Sequence, residues 1–212
     1  MHLTAASPES TPGAIIDAAE RLFGLHGIEG VSLRQISLSA NAANNSAIRY
    51  HFGDRRDLVQ AIWEHRLPLL EEIRTEMIED ASAKGLLGDP HELIRLFVEP
   101  CLRIRDSEGY HRYASFMRHA LRWRETLEIR NRTLEFTPAS RKVLDLFKAS
   151  HPDVPWDLTI VRLRYGICLL FDMISDRDLD ISTGRHVIPV EQLMAEGVDM
   201  LVAICARPLV SG

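Results

Sequence analysis

Along most of this chain apolar residues return every third or fourth position, the period of a helix with one buried face. Alternating strand-like runs with hairpin turns are missing. The first helical run, Ile15, Ile16, Ala19, Leu22 and Phe23, predicts a helix of about four turns. Thr11 is placed to cap it, Pro12 suits its first turn, and Gly27 stops it. Residues 1–11, rich in Ser, Thr and Pro, read as a flexible arm. Two short helices follow. Ser32 caps one that carries Leu33, Ile36 and Leu38; the other runs from Asn44 or Asn45 to Phe52 with Ala47 and Ile48 facing inward. Asn41 between them tolerates the left-handed backbone of a tight turn. After the Gly53-Asp54 break a long amphipathic run extends from Arg55 to about Asp80, and Pro68 inside it predicts a kink. Further helices are expected near 91–106 (bent at Pro100), 109–123, 124–149, 156–176 and 190–206. Seven to nine helices without a sheet make an all-α protein.

Composition narrows the class. A chain of 212 residues buries enough surface to need no staple, and 46% apolar with 26% charged residues excludes disordered and collagen-like chains. No apolar stretch approaches the roughly 18 residues of a membrane span, and the N-terminus lacks the pattern of a secretory signal. The expected location is the cytoplasm. Cys101, Cys168 and Cys205 lie far apart, outside any C-x-x-C pair, and read as buried thiols rather than metal ligands. The net charge of −5 hides an asymmetry: residues 31–56 carry Arg34, Arg49, Arg55 and Arg56 against Asp54 alone. A small basic patch on an acidic body suits a protein that touches a polyanion with one end.

A helix followed by two short ones across a tight turn is the helix-turn-helix arrangement, and the basic patch falls on it. Reading bases requires small polar side chains where the second short helix begins, so that its backbone can approach the major groove. Asn44, Asn45 and Ser46 stand there, and Asn can bond an adenine edge bidentately. Arg49, Tyr50, His51 and Arg55 supply cationic and phenolic groups for phosphates, and the helix beginning after Asp54 offers backbone N–H groups to another. Ser32 and Arg34 complete the candidate DNA-contacting set. Spacing alone also fits a three-helix subdomain with a polar surface and no DNA.

The stretch AAERLFGLHGIEGVSLRQISLSANAANNSAIRYHFGDRRDLVQAIWEHR resembles the DNA-binding domain of the TetR family of bacterial transcriptional regulators. Ala19, Phe23, Gly27, Ser32, Ile36, Tyr50, Phe52, Arg55 and Leu58 stand in that family's order, and the likeness covers roughly residues 12–66. Asn41 replaces the usual turn Gly, and Arg49 stands where many members carry Tyr. The resemblance implies a helix-turn-helix domain over 12–56 and a ligand-binding and dimerisation bundle over 57–212. It also implies that the last two long helices pair with those of a second subunit. Ile167, Phe171, Leu193, Val198, Leu201 and Val202 are the candidate interface, on runs apolar around more than one face. Two reading helices related by a two-fold axis match half-sites about 34 Å apart.

In the bundle, Phe97, Cys101, Phe116, Met117, Leu121, Trp123, Phe136, Leu144, Phe147, Tyr165, Cys168 and Phe171 are candidates to line a pocket. Arg118, His119, Arg122 and Tyr165 could orient a ligand there, and dense core packing is the competing reading. Asp176, Asp178 and Asp180 have the opening spacing of a calcium loop, but Ile181 and Val187 occupy its Gly and Glu positions; an acidic solvated loop is expected instead. Intrahelical pairs with Glu125, Glu128 and Glu135 would account for the run Arg118, Arg122, Arg124, Arg130 and Arg132. No hydrolase elbow, phosphate loop, dinucleotide fingerprint or H-E-x-x-H motif points to an enzyme. The expectation is a DNA-binding regulator: a ligand-responsive repressor that binds a palindromic double-stranded operator as a homodimer. Its effector would be small and apolar or amphipathic, with no cofactor, metal or membrane partner. A helical small-molecule-binding or interaction protein without sequence-specific DNA binding is the alternative.

Overall fold

The computed structural model describes residues 12–41, 45–126, 128–129 and 137–208, with the backbone alone at 45–47. The Thr11 cap and the N-terminal arm lie outside these residues. All regular structure among the described residues is helical: α1 (Pro12–His26), α2 (Leu33–Ser39), α3 (Asn45–Phe52), α4 (Arg55–Ala83), α5 (Pro90–Arg103), α6 (Arg112–Ala120), α7 (Pro138–Ala149), α8 (Trp156–Ser182) and α9 (Val190–Ala206).

Local chemistry sets the boundaries. Gly27 ends α1 at φ +77°, and Gly53 ends α3 at φ +75°. Asp89 caps α5 by accepting the His91 N–H at 2.9 Å, with Pro90 in the first turn. Helix α4 runs unbroken through Pro68. The single helix expected over 124–149 is corrected: α7 starts at Pro138, whose ring bars the helical conformation at Thr137. Thr137 makes no side-chain cap. The Glu71 carboxylate of α4 accepts the N–H groups of Ala139 (2.8 Å) and Ser140 (3.2 Å) in its place. Arg74, itself buried, bonds Glu71 (3.0 Å), the Ser140 hydroxyl (2.8 Å) and the Leu96 carbonyl (3.0 Å), which ties α4 to α5 and α7.

The acidic loop is also corrected, because α8 continues to Ser182 and takes all three aspartates into the helix. Asp178 turns inward. Its carboxylate accepts the backbone N–H of His111 at 2.6 Å and faces the imidazole Nδ1 at 3.1 Å, both residues being buried. The arginine run pairs between elements rather than within one helix. Arg118 and Arg122 both reach Asp172 of α8, at 2.9 and 2.6 Å, while Arg56 pairs with Glu128. Arg130, Arg132 and Glu135 lie outside the described residues.

Two glycine-mediated approaches organise the packing. A β-carbon on Gly24 of α1 would sit 3.1 Å from both the Phe116 nitrogen and the Ser115 β-carbon of α6. Where α8 meets α9 the fit is reciprocal: Leu201 lies over Gly166 and Leu170 over Gly197.

Candidate DNA-binding surface and ligand cavity

The head is built by α1–α3 and the start of α4. Ser32 closes a capping box on α2: its Oγ accepts from the Gln35 N–H at 3.3 Å, and Gln35 Oε1 accepts from the Ser32 N–H at 2.8 Å. Asn41 adopts φ +52°, the left-handed conformation expected of the turn. Ile48 anchors α3 in the core, fully buried, and leaves Arg49, Tyr50 and His51 exposed along its length, Tyr50 at 85%. Tyr50 and His51 meet edge to face with centroids 5.1 Å apart. Arg34 is exposed on α2. Asn44, and the side chains of Asn45, Ser46 and Ala47, lie outside the described residues.

Three expectations change here. The N-terminus of α4 is not open to a phosphate, because Asp54 Oδ1 already accepts from the N–H groups of Arg56 (2.7 Å) and Asp57 (3.1 Å). Arg55 turns back into the head and donates from Nη2 to the Val31 carbonyl at 2.9 Å, fixing the approach to α2. Ser32 likewise engages its hydroxyl in the cap rather than presenting it freely. The exposed cations and phenol of the candidate reading face are therefore Arg34, Arg49 and Tyr50.

The head sits directly on the bundle. Arg66 of α4 bonds Glu20 (2.7 Å) and Asp17 (3.0 Å) of α1, and burial pushes the Glu20 carboxyl up against the opposing pull of Arg66. Phe23 of α1 stacks on Phe116 of α6 at 6.5 Å between centroids, and Arg118 reaches the Gly24 carbonyl.

A cavity of about 470 Å³ opens between α4, α5, α6, α7 and α8, within the range of small-molecule sites. Helix α4 contributes Trp63, Leu67, Leu70 and Arg74; α5 contributes Phe97 and Cys101; α6 contributes Tyr113 and Met117. Leu121, Ser140 and Leu144 form another wall, and α8 closes the space with Trp156, Asp157, Ile160, Leu163, Arg164, Ile167 and Phe171. Burial pushes the Cys101 thiol up to about 11, so it lines the wall as a neutral group.

Of the expected pocket residues, Phe97, Cys101, Met117, Leu121, Leu144 and Phe171 take part. The others do not line it among the described residues. Phe116 and Phe147 are fully buried in packing, one against Phe23 and Tyr113, the other edge-on to Phe97 at 5.6 Å. Cys168 is buried away from the cavity, and half-buried Trp123 packs on the core. His119 stands beside Gly27 at the end of α1, where burial and then Arg118 lower its pKa. Tyr165 is 54% exposed on the outer face of α8 under the Arg164 guanidinium. Phe136 lies outside the described residues. Sequence reasoning missed Trp63, Leu67, Leu70 and Tyr113; the apolar stripe of α4 was visible as a core face, but nothing in its spacing says that the core there is hollow.

The residues expected at a dimer interface are placed as follows. Phe171, Val198 and Leu201 are buried within the chain, Ile167 lines the cavity, and Leu193 and Val202 pack partly buried on the core. The large apolar side chains that α8 and α9 leave exposed are Val161, Tyr165, Leu169, Met200 and, near the end of α8, Leu179 and Ile181. Val161, Tyr165 and Leu169 recur every fourth position on one face. No helix among the described residues is long and apolar enough to cross a membrane, and no group of three or more His, Cys, Asp or Glu among them could hold a metal ion.

Residues 15–62 match the family model described as bacterial regulatory proteins, tetR family. Over 100 residues the chain is 29% identical to the HTH-type transcriptional repressor AcnR of Corynebacterium glutamicum, covering 45% of this chain and 53% of that protein. The chain thus spans about half the length of the curated relatives it matches. In fold it is similar to a tetR-family transcription regulator from Shewanella sp. PV-4, with TM-score 0.58 and 14% identity over 89% of this chain and 94% of that one. It is also similar to the transcriptional regulator FadR from Bacillus subtilis in complex with stearoyl-CoA, with TM-score 0.52 and 17% identity over 91% and 98% of the two chains.

Proposed function

We propose that this chain, whose residues 15–62 match the model of the tetR family of bacterial regulatory proteins, is a one-component transcriptional repressor acting on DNA in the cytoplasm. Residues 12–56 form its operator-reading head and residues 57–212 its effector-binding and dimerising body. It binds a palindromic operator as a homodimer, with α3 in the major groove and the face of Val161, Tyr165, Leu169 and Met200 against a second copy. Catalysis has no place in this reading.

The observation that carries it is the two-sided position of α6. One side, with Tyr113 and Met117, lines the cavity; the other, with Ser115 and Phe116, is pressed against Gly24 of α1. A ligand that displaces α6 must move α1 or break that contact, so occupancy of the cavity favours one placement of the head over another. Such differential affinity is what a ligand needs to shift an equilibrium.

Gel-shift titration of the full chain against fragments flanking its own gene tests the reading. Tight binding to one fragment over random DNA is expected, and equal binding to all would overturn it. Arg49→Ala should weaken binding to every sequence alike and reduce the salt slope by about one, because an exposed cation on this face meets phosphate. Asn45→Ala, by contrast, should relax sequence preference at one operator position, since amide contacts read base edges.

A further inference from the structure

Tyr113 is the least exposed polar side chain in the cavity wall, and its hydroxyl has no hydrogen-bond partner among the described residues. Burial holds its pKa well above the ordinary phenol value, so it stands as a neutral donor. A buried hydroxyl without a partner is unfavourable, and a cavity that keeps one is shaped for a molecule with an acceptor. The charged wall residues sharpen this. Arg74 is engaged by Glu71, Ser140 and the Leu96 carbonyl. Arg164 has no ion pair among the described residues, and its Nε is buried without a partner. With Arg74 neutralised by Glu71, Asp157 and Arg164 are the remaining charged residues of the wall, and most of the rest is apolar. A cationic ligand would bring a second positive charge beside Arg164 and no lone pair for the Tyr113 hydroxyl to donate to, while a plain hydrocarbon would leave both groups unsatisfied.

We propose that the cavity takes an apolar molecule bearing a carbonyl oxygen, a carboxylic acid or its ester, whose oxygen accepts from the Tyr113 hydroxyl while its body lies among Leu67, Phe97, Met117 and Ile160; this rests on the effector-binding reading above. Arg164 separates the two forms: it meets a carboxylate as a counter-charge and an ester only as a donor.

The test uses the full-length protein with the neutral apolar dye N-phenyl-1-naphthylamine as reporter, displaced in turn by decanoic acid, methyl decanoate and decylamine. At least one carbonyl compound should displace the dye at least tenfold better than decylamine. Tyr113→Phe should weaken the better compound about fivefold. Without any probe the same variant should melt no lower than the parent, because it removes an unsatisfied group; a merely structural hydroxyl would lower the midpoint. Arg164→Gln should weaken decanoate and spare the ester if the acid is the bound form, and affect the two alike if the ester is. Dye binding with equal displacement by decylamine, or with Tyr113→Phe indistinguishable from the parent, would overturn the proposal and leave the effector site standing. A dye that does not bind at all would overturn both.

Discussion

A Leu169→Arg variant should sediment as a monomer and lose roughly 10²–10⁴ in operator avidity while keeping its helical content. Leu169 is 38% exposed and shares its face with Val161 and Tyr165 of α8 and with Met200 across the seam to α9. An arginine there extends into water in a single chain and strains nothing. Across a two-fold axis it would place desolvated cations close to their own symmetry copies, which is unfavourable without a counter-charge. If two heads read one operator together, loss of the pair removes the intramolecular advantage of the second. Leu201, which the apolar stripe of α9 singles out, would not give a clean test. It lies over Gly166 inside the chain, and Leu201→Arg would break the contact between α8 and α9 before any association is measured. Analytical ultracentrifugation with a parallel gel shift decides the matter; a Leu169→Arg dimer with normal operator affinity would move the interface elsewhere.

Asp178→Ala should destabilise the fold by about 3 kcal/mol, because it removes one member of a buried hydrogen-bonded pair and leaves the other without a partner. Both the backbone N–H and the imidazole of His111 lose their acceptor, and both residues are nearly inaccessible to water. For a chain of this length such a loss corresponds to a melting point lower by about 10 °C. Asp176→Ala, two residues away, is the control and should change little. If both variants melt alike, the His111 contact carries no stability.

These two cases mark what the sequence could and could not disclose. Helix-turn-helix boundaries were legible because they depend on neighbours in the chain: Ser32 with Gln35, Asn41 in its turn, Gly53 and Asp54 between two helices. The all-helical body was legible from its period. Which apolar residue faces a cavity, a core or a partner was not, since periodicity reports a face and says nothing of what lies opposite. Leu169 and Leu170 are adjacent in sequence, yet one is on the open seam and the other rests on Gly197. The role of Asp178 depends on His111, 67 residues earlier, and a spacing rule that rejects calcium cannot supply that partner. Arg55 shows the same gap within the head: its charge marked it for phosphate, and only the fold shows its guanidinium bonded to the Val31 carbonyl.

The close seat of Gly24 against α6 bears on the engineering of hybrid regulators. Grafting the head of this protein onto a foreign body by cutting within α4 would carry α1 away from the surface it was shaped to meet. Phe23 would lose its stacking on Phe116, and Arg118 the carbonyl at which it points. A bulky residue opposite Gly24 in the new body would meet backbone, which cannot yield as a side-chain tip can. A functional exchange must therefore transplant α6 with the head, or rebuild the residues at 115, 116 and 118 in the recipient. Grafts joined at α4 alone should bind operator and ignore effector.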